Sequence, residues 1–240
     1  MYAVLSDVHS NLEALKSVQH DISKREITSI YVAGDTVGYG PEPDECLEIL
    51  RQKGRKMIAG NHDFGAAGVE DPEKFNEYAK IAIQWTKEKM LRDNIKFLGL
   101  LPLKIVDNTE DITLVHSTPF EPEAWHYLYD LPDAEINFLN FSTRLCFVGH
   151  THRPFIFEKT EQGNMIAHEK SVDIRSGNRY IINAGSVGQP RDHDARSSYA
   201  IVDEKHIEIV RVQYDIETTQ YKMAKAGLPI QLINRLSLGM

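Results

Sequence analysis

The sequence predicts an α/β layered domain in which strands and helices alternate up to about residue 150 and strands dominate after it. Three observations predict this. Short runs of Val, Ile, Leu and aromatic residues recur, most of them four to six residues long and nearly continuously apolar, as in strands covered on both faces. Helical patterns lie between the early runs. No repeat, low-complexity tract or long polar linker divides the chain, so residues 1–240 read as a single domain.

"YAVLS" is the first strand. It lacks the basic region and cleavage site of a signal peptide. Ser10 and Glu13 can form a capping box ahead of a helix carrying Leu12, Leu15, Val18 and Ile22. "SIYVA" and "KMIA" are the next strands. Asp71 and Pro72 make a suitable cap and first position for "EKFNEYAKIAIQWTKEKML". Residues 64–100 therefore read as a helical insertion, either a cap over a cleft or plain packing. "ITLV" follows as a strand, and Asp133 opens the helix "AEINFLNF". "LCFV", "YIIN", "SYAIVD" and "HIEIVRV" are strands. Residues 214–240 close the chain with two helices, the first stopped by Gly227.

Composition bounds the function. The chain is 42% hydrophobic with a formal net charge of −8, a globular composition with no apolar stretch long enough for a membrane span. Cys46 and Cys146 sit in apolar patterns and read as buried thiols, which points to the cytoplasm. The acidic balance argues against long nucleic acid as a partner. A small phosphate ester stays compatible, because bound metal ions reverse a local field.

In an open α/β sheet, ligands bind beyond the carboxyl ends of the strands. Five apolar runs are followed there by Asp7-Val8-His9, Gly34-Asp35, Gly60-Asn61-His62-Asp63, His116, and Gly149-His150-Thr151-His152. Each alone is an ordinary loop feature. Together, five ends deliver carboxylate, amide and imidazole groups, the nitrogen and oxygen donors of a metal site, where surface loops would supply Lys, Ser, Glu or Pro at some of them. The glycines let the backbone turn sharply at these tips. His150 and His152, two residues apart, could grip one metal, grip two metals, or be plain loop histidines.

This set, in order and rough spacing, resembles the calcineurin-like metallophosphoesterase superfamily across about residues 5–152. "INAGSVGQPRD" and "GDTVGYGPEP" resemble a branch of small single-domain bacterial and archaeal members, which includes phosphodiesterases and some dinucleoside polyphosphate hydrolases. The resemblance implies a four-layer α/β/β/α sandwich with mixed sheets. It implies one metal on Asp7, His9, Asp35 and His152 and a second on Asp35, Asn61, His116 and His150, with Asp35 bridging. Mn²⁺ is the expected ion, with Fe, Zn²⁺ or Ni²⁺ compatible with the donors. The implied reaction is hydrolysis of a phosphodiester or nucleotide phosphoanhydride by a metal-bridging hydroxide, with His62 as general acid. Dinucleoside polyphosphate hydrolysis is the narrower alternative. A non-catalytic metal-binding scaffold, like the retromer subunit of similar fold, is the alternative of another class. That subunit lacks the histidine matching His62.

The remaining candidates each carry two readings. Asp63 either orients His62 or caps a turn. Tyr39, Phe64 and Trp125 either stack on a base or aryl group of the substrate or cover the core edge. Arg191 either binds phosphate or pairs with Asp192 or Asp194, and Arg153 is a similar case. His193 is placed at the site rim and His126 stays open. His20, His168 and His206 lie far from any motif and read as surface or satisfied core residues.

Overall fold

The computed structural model describes residues 1–52 and 55–240. Two six-stranded mixed sheets lie face to face. One has the order β3 (Lys56–Met57), β2 (Ser29–Val32), β1 (Tyr2–Leu5), β11 (Ser197–Val202), β12 (His206–Val212), β9 (Ser171–Asp173). The other runs β4 (Lys104–Asp107), β5 (Ile112–Val115), β6 (Leu145–Val148), β10 (Arg179–Asn183), β7 (Phe155–Lys159), β8 (Met165–His168). Parallel pairing is confined to β3-β2-β1 and β5-β6-β10, and the rest is antiparallel. The four strands β4, β7, β8 and β9 were not among the apolar runs. β4, β8 and β9 are edge strands with partly exposed side chains, so their apolar strings are no longer than three residues.

Apolar side chains fill three interfaces, which makes four layers. Val4, Ile58, Leu114, Phe147, Ile182 and Ile207 meet between the sheets. Helices α1 (Leu12–Ser23), α2 (Pro43–Leu50), α3 (Asn61–Ala67) and α5 (Arg92–Gly99) cover the outer face of the first sheet. Helix α6 (Leu131–Asn137) covers the second through Ala134 and Phe138. A separate cluster joins α4 (Glu77–Lys89) to α7 (Ile216–Lys225) and α8 (Ile230–Leu238), with Tyr39 in it.

Three caps differ from expectation. Asn11 caps α1 by accepting from the Ala14 N–H at 3.1 Å, while Ser10 is buried in left-handed backbone. Asp71 caps only a three-residue 3₁₀ turn, Pro72–Lys74, and Asn76 caps α4. Asp130, not Asp133, caps α6. In each case an equally polar neighbour has the geometry to reach the open N–H groups. Gly227, at φ 74, ends α7 as expected. Helix α3 and the turn after it border the strand ends, while α4 packs on α7 and α8, so the 64–100 segment both lines a cleft and packs.

Candidate metal centre

The carboxyl ends of β1, β2, β3, β5 and β6 meet at one end of the sandwich. Asp7 and His9 follow β1, Asp35 follows β2, Asn61 opens α3 after β3, His116 follows β5, and His150 and His152 follow β6. All seven are buried. Asp7, His9, Asp35 and His152 bring ligand atoms within 4.8 Å of one another, and Asp35, His116 and His150 form a second such group. Asp35 belongs to both. His150 and His152 fall into different groups because both lie beyond the strand in left-handed backbone, at φ 65 and 58, so strand alternation does not govern them.

Second contacts fix which imidazole nitrogen faces inward. The Nδ1 atoms of His9, His116 and His152 lie 3.1, 2.7 and 2.6 Å from the carbonyls of Val37, Ala33 and Gln189. A hydrogen donated there leaves Nε2 as a lone pair on the cluster side. His150 is reversed: its Nε2 lies 3.0 Å from the Trp125 carbonyl, which leaves Nδ1. Backbone amides tie the carboxylates, with His62 N–H donating to Asp35 Oδ1 at 2.9 Å and His150 N–H to Asp7 Oδ2 at 3.1 Å.

The local backbone is unusual. Asp7, His9, Asp35, His150 and His152 all have φ between 48 and 65, which non-glycine residues seldom adopt. Gly34, at φ 87, makes the expected sharp turn. Gly60 and Gly149 serve another purpose. A Cβ on Gly60 would sit 2.0 Å from Asp35 Oδ1, and one on Gly149 would sit 2.5 Å from Asp7 Oδ2. They are small so that carboxylates can approach the chain.

The residues fit a divalent ion. Asn61 Oδ1 and His116 Nε2 are buried without a hydrogen-bond partner among the described residues. His116 Nε2 lies 3.3 Å from Asp35 Oδ2 but outside hydrogen-bonding directions. Burial opposes charge on Asp35, yet positive charge at the neighbouring imidazole positions, His116 first, holds its carboxyl well below the usual range, the same field a bound cation would supply. Burial, and then His116, push His150 down to about 4. The donors are imidazole, carboxylate and amide with no thiolate, as suits ions of the Mn²⁺, Fe or Zn²⁺ kind.

His62 stands beside the cluster. Its ring lies 4.8 Å from that of His9 and 4.4 Å from that of Tyr39, and it borders the cleft. Its Nδ1 has no partner among the described residues, so of the two readings of Asp63 the one that has it orient this imidazole is corrected and the turn cap remains. Asp63 Oδ1 accepts from Val37 N–H at 3.1 Å and Oδ2 from Gly60 N–H at 3.0 Å. Asp63 clamps two loops, taking the open Gly60 amide at the entry into α3 and the Val37 amide of the loop after β2. Burial, reinforced by Asp35, raises its carboxyl to about 7.

The cleft holds about 210 Å³. Tyr39, Trp125 and Arg191 line it, as do Glu70 and Tyr127, which the sequence did not single out. Phe64 does not line it and packs edge-on against Trp125 at 6.1 Å. Trp125 Nε1 donates to Glu70 Oε2 at 2.6 Å. Arg191 pairs with neither aspartate offered to it: Asp192 binds Arg211, and Asp194 binds Arg196 at 2.6 Å. Arg153 Nε donates to the Arg191 carbonyl at 3.0 Å. His193 and His126 are exposed and outside the cleft lining. His20 is exposed on α1, while His168 and His206 contact Glu158 at 2.6 Å and Asp173 at 2.8 Å.

A model of the calcineurin-like phosphoesterase superfamily domain matches residues 1–206. The chain belongs to the calcineurin-like phosphoesterase superfamily. It is 46% identical to the uncharacterized protein MJ0912 of Methanocaldococcus jannaschii over 243 residues, covering 100% of this chain and 98% of that one. Its fold matches the crystal structure of a metallophosphoesterase from Sphaerobacter thermophilus with a TM-score of 0.88 and 41% identity, over 100% of this chain and 98% of that one. A weaker similarity, 24% over 116 residues, links it to the symmetrical bis(5'-nucleosyl)-tetraphosphatase of Baumannia cicadellinicola and covers 47% of this chain and 40% of that protein. Membership in this superfamily and the buried His/Asp cluster together support a metal-binding hydrolase of phosphoesters. Both cysteines are free and buried, and no described helix is long and apolar enough to cross a membrane.

Proposed function

We propose that the protein is a dinuclear metal-dependent phosphoesterase acting on phosphodiesters or nucleotide phosphoanhydrides. The observation that carries this reading is that Asp35 belongs to both ligand groups, as a carboxylate bridging two ions must. Asp7, His9, Asp35 and His152 would hold one ion, and Asp35, Asn61, His116 and His150 the other, with Mn²⁺ as the activating metal. Bound there, the ions would polarise phosphoryl oxygens and supply a nucleophilic hydroxide at neutral pH.

The chain's own groups do the rest. His62 borders the cleft and gives a proton to the departing alkoxide. Burial pushes its imidazole well below the usual histidine value, and an anionic phosphoryl group beside it raises its proton affinity for that task. Arg191 offers its cation to substrate phosphate, and Tyr39 backs the rings of His9 and His62. The cleft is open and of the size of a small phosphoester group, and the net charge of −8 disfavours long nucleic acid. A reducing cytoplasm suits two free buried thiols.

The test is a hydrolysis screen with added Mn²⁺ across mononucleotides, cyclic nucleotides, aryl phosphodiesters and dinucleoside polyphosphates. Turnover that chelation abolishes and Mn²⁺ restores supports the enzyme. Metal-loaded protein that turns over nothing, yet binds a partner protein tightly, supports the scaffold.

A further inference from the structure

Arg191 and Arg235 converge on one neutral acceptor. Gln189 Oε1 accepts from Arg191 Nη2 at 2.8 Å and Nε at 3.3 Å, and from Arg235 Nη1 at 3.3 Å. No described carboxylate lies within 4.0 Å of either guanidinium, although the chain carries 35 acidic residues. The acids nearest in sequence, Asp192 and Asp194, are taken by Arg211 and Arg196. Both arginines are partly buried, and Arg235 Nε is buried without a partner among the described residues. Two half-desolvated cations sharing one amide oxygen repel and lack a counter-charge.

We propose that Arg191 and Arg235 form an anion subsite for a second phosphate of the substrate, distinct from the phosphoryl group undergoing hydrolysis. The placement supports this. Arg191 lines the cleft, its backbone N–H donates to the His152 carbonyl at 3.2 Å, and its guanidinium lies 5.6 Å from the Tyr39 ring. The other side of that relation is His62, whose ring is 4.4 Å from Tyr39. Arg235 comes from α8, is outside the cleft lining itself, and reaches Arg191 through the shared Gln189 Oε1. Arg191 therefore meets substrate on the side of Tyr39 and His62, and Arg235 adds its charge from behind Gln189.

The inference rests on the phosphoesterase reading and narrows it to leaving groups that carry phosphate, as in nucleoside and dinucleoside polyphosphates. Water oxygen bonds to the scissile phosphorus and the bridging P–O bond breaks. Its electron pair goes to the departing phosphate, which takes the His62 proton; one water proton restores His62 and the other passes to solvent. Two fixed guanidiniums neutralise the charge that develops there.

The experiment compares wild type with Arg235→Ala and Arg235→Lys on two substrates, a dinucleoside tetraphosphate and bis(p-nitrophenyl) phosphate, which has no second phosphate. Loss of a charged hydrogen bond predicts that the ratio of the two kcat/KM values falls roughly 10- to 100-fold in Arg235→Ala and less in Arg235→Lys. Inhibition of diester cleavage by pyrophosphate should weaken by a similar factor, while inhibition by inorganic phosphate changes less. An unchanged ratio together with unchanged pyrophosphate inhibition overturns the subsite and leaves the phosphoesterase intact. Wild-type protein that hydrolyses neither substrate, yet binds pyrophosphate calorimetrically in an Arg235-dependent way, overturns the phosphoesterase reading and keeps the subsite.

Discussion

His9 and His152 face each other with their Nε2 atoms 3.1 Å apart, while each Nδ1 is engaged by a backbone carbonyl. With both Nδ1 hydrogens donated, two lone pairs point at one another. That arrangement is stable only around a shared positive charge. The carbonyls of Val37 and Gln189 thus select the tautomer that a cation requires.

His152→Ala should therefore lower bound metal by about one ion per chain, because its ligand atom belongs to one group. Asp35→Asn should weaken both sites. Elemental analysis of protein purified in Mn²⁺ checks this. Undiminished metal in His152→Ala would remove His152 from the ligand set.

His62→Ala should keep its metal and lose activity according to the leaving group. A p-nitrophenolate leaving group needs little protonation and should show a small loss. An alkyl alkoxide should lose about 10²–10⁴-fold, the usual worth of general acid catalysis. Equal losses on both esters, with metal content unchanged, would assign His62 to phosphoryl binding instead.

Gly60→Ala should damage both stability and metal content. The added Cβ would lie 2.0 Å from Asp35 Oδ1, so the carboxylate or the loop must move. Overpacking of this kind costs about 1–3 kcal/mol. A melting curve and a metal assay on the same sample check it. By contrast, Gly163→Ala meets nothing within 4 Å, and only its φ of 87 opposes it, so metal content should be unaffected.

Asp107 should make the fold acid-sensitive. The Lys56 ammonium and the Tyr31 hydroxyl lower its carboxyl from 3.8 to about 2. The unfolded chain therefore takes up a proton first as pH falls below the ordinary value. Stability from this group is complete above about pH 4 and is lost as pH falls toward 2. Solvent around the half-exposed Lys56 screens the pair, so the contribution is modest. Asp107→Asn should lower the melting temperature at pH 7 and flatten its decline between pH 4 and 2.

Much of the site was legible because the chemistry follows the apolar runs directly. The strand ends that deliver Asp7, Asp35, Asn61, His116 and His150 can be found by reading one or two residues past each run. What failed was geometry. Ser10 and Asn11 are equally good caps on paper, and only the path of the chain into α1 decides for Asn11. Asp63 sits next to His62, yet its oxygens turn to the amides of Val37 and Gly60. Sequence adjacency does not fix side-chain direction. Left-handed backbone at five of the candidate ligands has no compositional mark, since asparagine and glycine are its usual carriers. Arg235 lies 46 residues from Gln189 on a helix with no motif, and only folding brings it there.

The ligand groups are drawn from both sheets. One gives Asp7, His9, Asp35 and Asn61, and the other gives His116, His150 and His152. The span of each group is therefore set by how the two sheets sit on one another, and that is decided by the apolar residues between them. Phe147 and Ile182 never touch substrate, but they act as the spacer of a calliper whose jaws are the strand ends. A trimmed side chain in that layer would change the jaw opening, so metal selectivity and turnover should drift with mutations that stability assays alone would class as ordinary core damage.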